Sequence, residues 1–235
     1  MTHPQLSGRH QLVECGRLIA DPACAGVLLA LMDGTVRPAG DLARMVGIGA
    51  SSVRAHLKTL TESGLVEVHQ QGRHRYFRLA NPQVVHTLEN LALARSMRSP
   101  ISLTHKDPVF SRARTCYDHL AGRLGVALFD TLREHGDLCL GGDAVHICSS
   151  GLSRLGKLGL VADDDARTRL GRVQGQTCVD WTERRFHLGG RLGAALTSCL
   201  FEEGWVARRA SSRALVVTGA GRDRLHALGI SRSVF

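Results

Sequence analysis

The sequence predicts an α+β protein in two parts, and three observations carry that reading. Residues 18–80 run as three helical stretches followed by two short strands. Residues 111–235 contain an internal repeat, each copy of which reads helix, strand, strand, helix. Between them, Met97–Phe110 (MRSPISLTHKDPVF) holds two prolines and little periodicity, the composition of a linker. The expected layout is therefore a first domain over 1–97, a linker over 98–110 and a second domain over 111–235.

The chain has 235 residues, 43% apolar and 22% charged, an ordinary globular balance. Its longest apolar run, Cys24–Met32, is far shorter than the roughly 20 residues a membrane helix needs. His3, Pro4 and Arg9 replace the apolar core of a secretory signal, so a cytoplasmic protein is expected. Seven cysteines, an odd number without a CxxC pair, suit reduced thiols better than a disulfide framework. The net charge of +9 points to a polyanionic partner. Charge alone does not say which half meets it, because the parts before and after Pro100 carry 11 basic against 7 acidic and 19 against 14. Clustering does. Ala50–Leu79 gathers Arg54, Lys58, Arg73, Arg75 and Arg78, with His56, His69 and His74 beside them.

In the first part, Leu18–Met32 is apolar at helical spacing, with Asp21-Pro22 as a cap followed by proline at the first helical position. Pro38–Val46 gives a second helix closed by Gly47, and Ala50–Ser63 a third closed by Gly64. On the third, Val53, Leu57 and Leu60 form one buried stripe. The opposite side carries Ser51, Ala55, Lys58 and Glu62, flanked by Ser52, Arg54 and Thr59. That short, hydroxyl-bearing, basic face suits a DNA major groove. Leu65–His69 and Arg75–Leu79 then alternate as two strands around a basic tip, Gln70–His74. Helix-turn-helix plus wing places a helix on base edges and a hairpin tip on phosphate or the minor groove. Val84–Met97 is a helix with apolar residues on more than one side, as a dimerisation helix requires.

Through IADPACAGVLLAL, DLARMVGIGASSVRAHLKTLTESGLVEV and QGRHRYFRLA, residues Ile19–Ala80 resemble the winged-helix repressors of the ArsR/SmtB family. The resemblance implies a dimeric transcriptional repressor that leaves its operator when an effector binds. It puts Ser51, Ser52, Arg54, His56, Lys58 and Thr59 on the recognition helix and Arg73, His74 and Arg75 on the wing. The family's thiolate string is absent, since AGDLARMVG has no cysteine, and Pro82–Ser96 offers only His86 and Glu89. The familiar metal sites are therefore not carried over. Cys24 reads as a small core residue.

In the second part, HLAGRLGVAL (His119–Leu128) and HLGGRLGAAL (His187–Leu196) match at eight of ten positions, and the correspondence continues to Gly159/Gly229. The copies span about 112–160 and 180–230 and read as two αββα, winged-helix-like repeats packed about a pseudo-two-fold axis. Gly122, Gly125, Gly189, Gly190 and Gly193 are expected within long helices that cross there, since glycine costs about 1 kcal/mol relative to alanine in a helix and needs a packing reason. Ala162–Arg167 reads as a solvated turn.

Two strings could carry chemistry: Cys116-Tyr117-Asp118-His119, and Cys178 to His187 with Asp180 and Trp181. Cys116 and His119 share a helix face at i, i+3; if His119 and His187 face each other, Cys178 completes a set able to bind zinc or another thiophilic metal. Thiols near Arg184 and Arg185 could instead sense oxidants, or the region could hold an organic effector. The structural alternative has Asp118 and Asp180 capping helices, Trp181 filling a core and Glu183 pairing with an arginine. Cys139, Cys148 and Cys199 read as buried. No catalytic triad, phosphate loop or HExxH string is present, so a non-enzymatic protein is expected, and no cofactor is required. The function expected is sequence-specific binding of double-stranded DNA as a homodimer, with an effector acting through the second domain. The alternative is a tandem winged-helix scaffold or an RNA-binding protein whose repeats bind a partner.

Overall fold

A computed structural model describes residues 8–72, 74–95, 108–141, 144–161 and 164–235. The chain divides into two compact units, Met1–Thr87 and Leu88–Phe235.

In the first unit, α1 (Gly8–Ala20) stops where Pro22 cannot continue a helix. Asp21 then caps α2 (Pro22–Leu31), accepting the Cys24 N–H at 2.7 Å. A short β1 (Arg37–Pro38) leads into α3 (Ala39–Val46), which ends on Gly47 at φ 75°, the left-handed conformation favoured by glycine. α4 (Ala50–Glu62) follows, with Val53, Leu57 and Leu60 buried as their spacing predicts. β2 (Val66–Gln71) and β3 (His74–Leu79) pair antiparallel, and β1 joins the far edge of β3. α5 (Pro82–Arg95) closes the series, and the division between units falls inside it. This arrangement is a winged helix-turn-helix. α1 and β1 are the elements of this unit that the sequence did not lead us to expect. The expected linker lies mostly outside the described residues, and its last residues form part of α6 (Pro108–Arg112).

The second unit continues with β4 (Arg114–Cys116), β5 (His119–Ala121), α7 (Gly122–Glu134), β6 (Leu138–Gly141), β7 (Ala144–Ile147) and α8 (Ser149–Lys157). Then come α9 (Asp164–Arg172), β8 (Gly175–Val179), β9 (Phe186–Gly189), α10 (Gly190–Glu202), β10 (Val206–Arg208), β11 (Leu215–Val217), α11 (Gly219–Leu228) and a 3-10 turn, Arg232–Val234. β6, β7, β8 and β9 form one antiparallel sheet in that order, while β4–β5 and β10–β11 are two-stranded. One core unites these elements through Leu124, Leu128 and Leu132 of α7 and Leu192, Leu196 and Leu200 of α10.

Four expectations are corrected here. Residues 164–167 open α9 rather than a turn; aspartates at a helix N-terminus favour the helix by opposing its dipole. Gly122 and Gly190 are not mid-helix residues. They stand first in α7 and α10 at φ 77° and 66°, where the strand turns sharply into the helix, and Gly189 ends β9. Only Gly125 and Gly193 lie inside helices, and neither receives the opposite long helix. A Cβ on Gly125 would meet Leu120 O at 2.5 Å and His187 Cβ at 3.6 Å; on Gly193 it would meet Leu188 O at 2.3 Å and His119 Cβ at 3.1 Å. The glycines thus admit a strand carbonyl and a histidine from the other half of the unit.

The fourth correction concerns cysteines. Cys139 is exposed on the edge strand β6, Cys148 is half-buried ahead of α8, and the two form a disulfide. The β6–β7 hairpin brings their Cα atoms to 5.8 Å, within bonding reach, which linear spacing did not reveal. Of the three cysteines expected to be buried, only Cys199 is.

Candidate functional site

The reading face is set by what α4 buries. With Val53, Leu57 and Leu60 turned inward, Ser51, Ser52, Arg54, Lys58 and Thr59 are exposed. Gly49 precedes the helix without a side-chain cap, so its first N–H groups are not consumed by a capping side chain. Lys58 Nζ lies 3.8 Å from Glu62, and the Thr59 hydroxyl donates to Ala55 O at 3.2 Å. Such exposed pairs hold their side chains weakly and leave them available to a ligand.

The hairpin next to it is built for reach. Gln71 pairs with His74 and Gln70 with Arg75, so the strands run to the tip, where Gly72 takes φ 59°. His74 and Arg75 are exposed, and the Arg75 guanidinium lies 5.7 Å from the ring centroid of the buried Phe77. Lower down, Arg78 pairs with Glu67 on the neighbouring strand. Arg73 lies outside the described residues.

His56 departs from the rest of the set. It is half-buried and turned to α2, with Nδ1 3.3 Å from Cys24 Sγ and 3.6 Å from Asp21 Oδ1. Burial, with Asp21 beside it, pushes the Cys24 thiol up to about 11, which suits a core thiol. His56 therefore braces α4 against α2 instead of sharing the exposed face with Arg54.

In the second unit, Cys116, His119, Cys178 and His187 come together, their donor atoms all within 4.8 Å of one another. The local structure differs from the helix face expected. Cys116 and His119 are directly paired residues of the β4–β5 hairpin, across a two-residue turn with Tyr117 at φ 57°. Cys178 and His187 are likewise paired on β8 and β9. Each hairpin thus contributes one thiol and one imidazole.

Three of the cluster's residues are buried and Cys178 is half-buried. The two imidazoles stack with centroids 5.1 Å apart. His119 Nδ1 lies 3.1 Å from Asp118 Oδ1, while His119 Nε2 and both nitrogens of His187 meet no hydrogen-bond partner in the protein. An unsatisfied buried polar group costs about 1–3 kcal/mol. The Cys116 thiol donates to Glu89 Oε2 at 3.5 Å, and Glu89 also accepts from Arg213 at 2.9 Å. A hydrogen bond shared with Cys178, with burial, pushes the Cys116 thiol up to about 12, while the same contact lowers Cys178. Burial opposes charge on His119, but Cys116 and Asp118 outweigh it and raise its pKa.

Asp180 and Trp181 stand beside the cluster with a structural job. Asp180 Oδ1 pairs with the buried Arg114, Oδ2 accepts from Gly122 N, and the carboxylate also takes the backbone N–H groups of Thr182 and Glu183. Trp181 is buried against Arg114, whose guanidinium lies 5.5 Å from the ring centroid. Glu183 faces Arg123 at 3.7 Å. The roles of Arg114 and Glu89 were not legible in the sequence, because their partners Asp180 and Arg213 lie 66 and 124 residues away.

A helix buried on one stripe, exposed and basic on the other, and followed by a hairpin with an exposed basic tip defines a winged helix-turn-helix transcriptional regulator. Residues 19–69 match the Helix-turn-helix domain family. The chain is 36% identical over 217 residues to the HTH-type transcriptional regulator YdfF of Bacillus subtilis (strain 168), covering 90% of this chain and 93% of that one. It is 38% identical over 80 residues to the HTH-type transcriptional regulator CmtR of Mycobacterium tuberculosis, covering 34% of this chain and 67% of that one. The NMR structure of the cadmium metal-sensor CmtR from Mycobacterium tuberculosis aligns at 37% identity and TM-score 0.30 over 34% of this chain and 81% of its own. The protein belongs to the ArsR/SmtB family of DNA-binding transcriptional regulators.

Proposed function

We propose that this regulator is a homodimeric repressor, released from its operator by a signal that enters through the second unit. The observation that carries the DNA reading is the exposed face Ser51, Ser52, Arg54, Lys58 and Thr59 standing beside the exposed His74 and Arg75. Arginine and lysine there supply salt-dependent attraction to phosphates, and the serines and Arg54 supply contacts to bases. Dimerisation is supported by exposed apolar residues on two helices, Leu12 on α1 and Leu91 on α5. A two-fold dimer matches a palindromic site.

We read residues 111–235 as a duplicated αββα unit. Paired glycines support it: Gly122 with Gly190 and Gly136 with Gly204 share positive φ, and Gly125 and Gly193 each abut the carbonyl of the leucine five residues earlier. We assign 1–97 to DNA binding and dimerisation, 98–110 to the linker and 111–235 to signal input. The role is that of a cytoplasmic regulator and not of an enzyme. Linkage requires the signal to bind two states of the dimer unequally. Electrophoretic shift of the DNA upstream of the protein's own coding region tests the reading: a salt-dependent shift is expected, and no shift at low salt overturns it.

A further inference from the structure

We propose that Cys116, His119, Cys178 and His187 are the four ligands of one thiophilic divalent cation of the zinc class, clasped between the β4–β5 and β8–β9 hairpins. The inference goes beyond DNA reading and does not depend on it.

Geometry comes first. Four donors lie within 4.8 Å of one another. In a tetrahedral site with ordinary zinc–sulfur and zinc–nitrogen bonds, donors stand ~3.3–3.8 Å apart, so small side-chain movements close the set. Both cysteine–histidine pairs sit on directly opposed strand positions, which fixes their separation through backbone hydrogen bonds. Glycine clears the way: Gly189 has no Cβ where one would stand 3.0 Å from Cys178 Cβ and 3.4 Å from His119 Nε2.

The chemistry agrees. His187 is buried with both ring nitrogens unpartnered, and His119 Nε2 is unpartnered as well. Asp118 accepts from His119 Nδ1, which leaves the Nε2 lone pair for a metal; a carboxylate behind a ligating histidine is the usual outer support of such a site. Two thiolates and two neutral imidazoles around a divalent cation sum to zero charge, which suits burial. Sulfur and imidazole select zinc-class ions over magnesium or calcium. Binding displaces the thiol protons to solvent. Four protein ligands leave no open position, so the site holds structure together and does not activate water.

The other candidate group, Asp21, Cys24 and His56, has three donors, and the Asp21 carboxylate is already spent on capping α2.

Cobalt(II) titration of the reduced, metal-stripped full chain tests the site. One equivalent per chain is expected to give the visible bands of tetrahedral cobalt and a thiolate charge-transfer band, both removed by one equivalent of zinc. Cys178→Ser and His187→Gln are expected to weaken binding at least ~100-fold, while Cys15→Ser leaves it unchanged. Because a ligand variant could fail to fold, maleimide labelling of the unaltered chain supplies a second reading. Zinc is expected to protect the half-buried Cys178 and to leave the labelling of Cys15 unchanged. A featureless cobalt titration, undiminished binding in both ligand variants, or equal labelling of Cys178 with and without zinc would each overturn the proposal. None of these readouts involves DNA, so their failure leaves the repressor reading standing.

Discussion

Arg114 Nη2 lies 2.8 Å from Asp180 Oδ1, and the two side chains are 1% and 0% exposed. The pair joins β4 to the turn after β8. Breaking a buried pair by removing one partner strands the other charge, at a cost of about 3–5 kcal/mol. Asp180→Asn is therefore expected to destabilise the second unit by that amount. Denaturant unfolding followed by tryptophan fluorescence reads it directly, since both tryptophans, Trp181 and Trp205, lie in this unit.

The same carboxylate makes stability depend on pH. Burial opposes its charge, but Arg114, Thr182 and the backbone N–H groups of Glu183 and Gly122 overcome that and hold Asp180 well below the usual carboxylate range. A depressed folded value stabilises the fold above the unfolded value of about 3.9 and loses that contribution as pH falls toward the folded value. Acid unfolding of the unaltered chain is expected below about pH 4. Asp180→Asn removes this contribution and flattens the slope there; an unchanged slope counts against the assignment.

On the reading face, Arg54→Ala is expected to weaken operator binding by ~1–3 kcal/mol without changing thermal stability. Arg75→Ala at the hairpin is expected to weaken binding about equally across sequences and to reduce the salt slope by about 1. Fluorescence anisotropy at several salt concentrations separates the two effects.

The glycines give a contrast within one molecule. A Cβ at Gly193 would stand 2.3 Å from Leu188 O, whereas one at Gly16 meets nothing within 4 Å. Gly193→Ala is expected to destabilise by about 1–3 kcal/mol as β9 is pushed away. Gly16→Ala, in the interior of α1, is expected to stabilise by about 0.5–1 kcal/mol. Thermal unfolding distinguishes the signs.

The Cys139–Cys148 bridge closes a loop with a sequence separation of 9. In the chain-entropy account a loop of this size contributes about 2–3 kcal/mol. Cys139→Ser is expected to lower the unfolding temperature under non-reducing conditions and to leave it unchanged in reductant. A thiol titration of denatured, unreduced protein should find five free thiols.

Local pattern determined much of this protein. The stripe Val53, Leu57 and Leu60 specified which face of α4 is buried, and with it which residues stay exposed, because helical periodicity alone sets that geometry. The Asp21-Pro22 cap, Gly47 and the alternating hairpin were legible for the same reason: each acts within a few residues. What tertiary structure decided lies at long sequence distance. Cys116 and His119 were legible as neighbours but were placed on a helix, and only strand pairing set them opposite each other. Cys178 and His187 reach them across the unit, Asp180 finds Arg114 66 residues away, and His56 turns to Cys24 instead of outward. Burial depends on which elements close over a residue, and no periodicity in one segment encodes its partner in another.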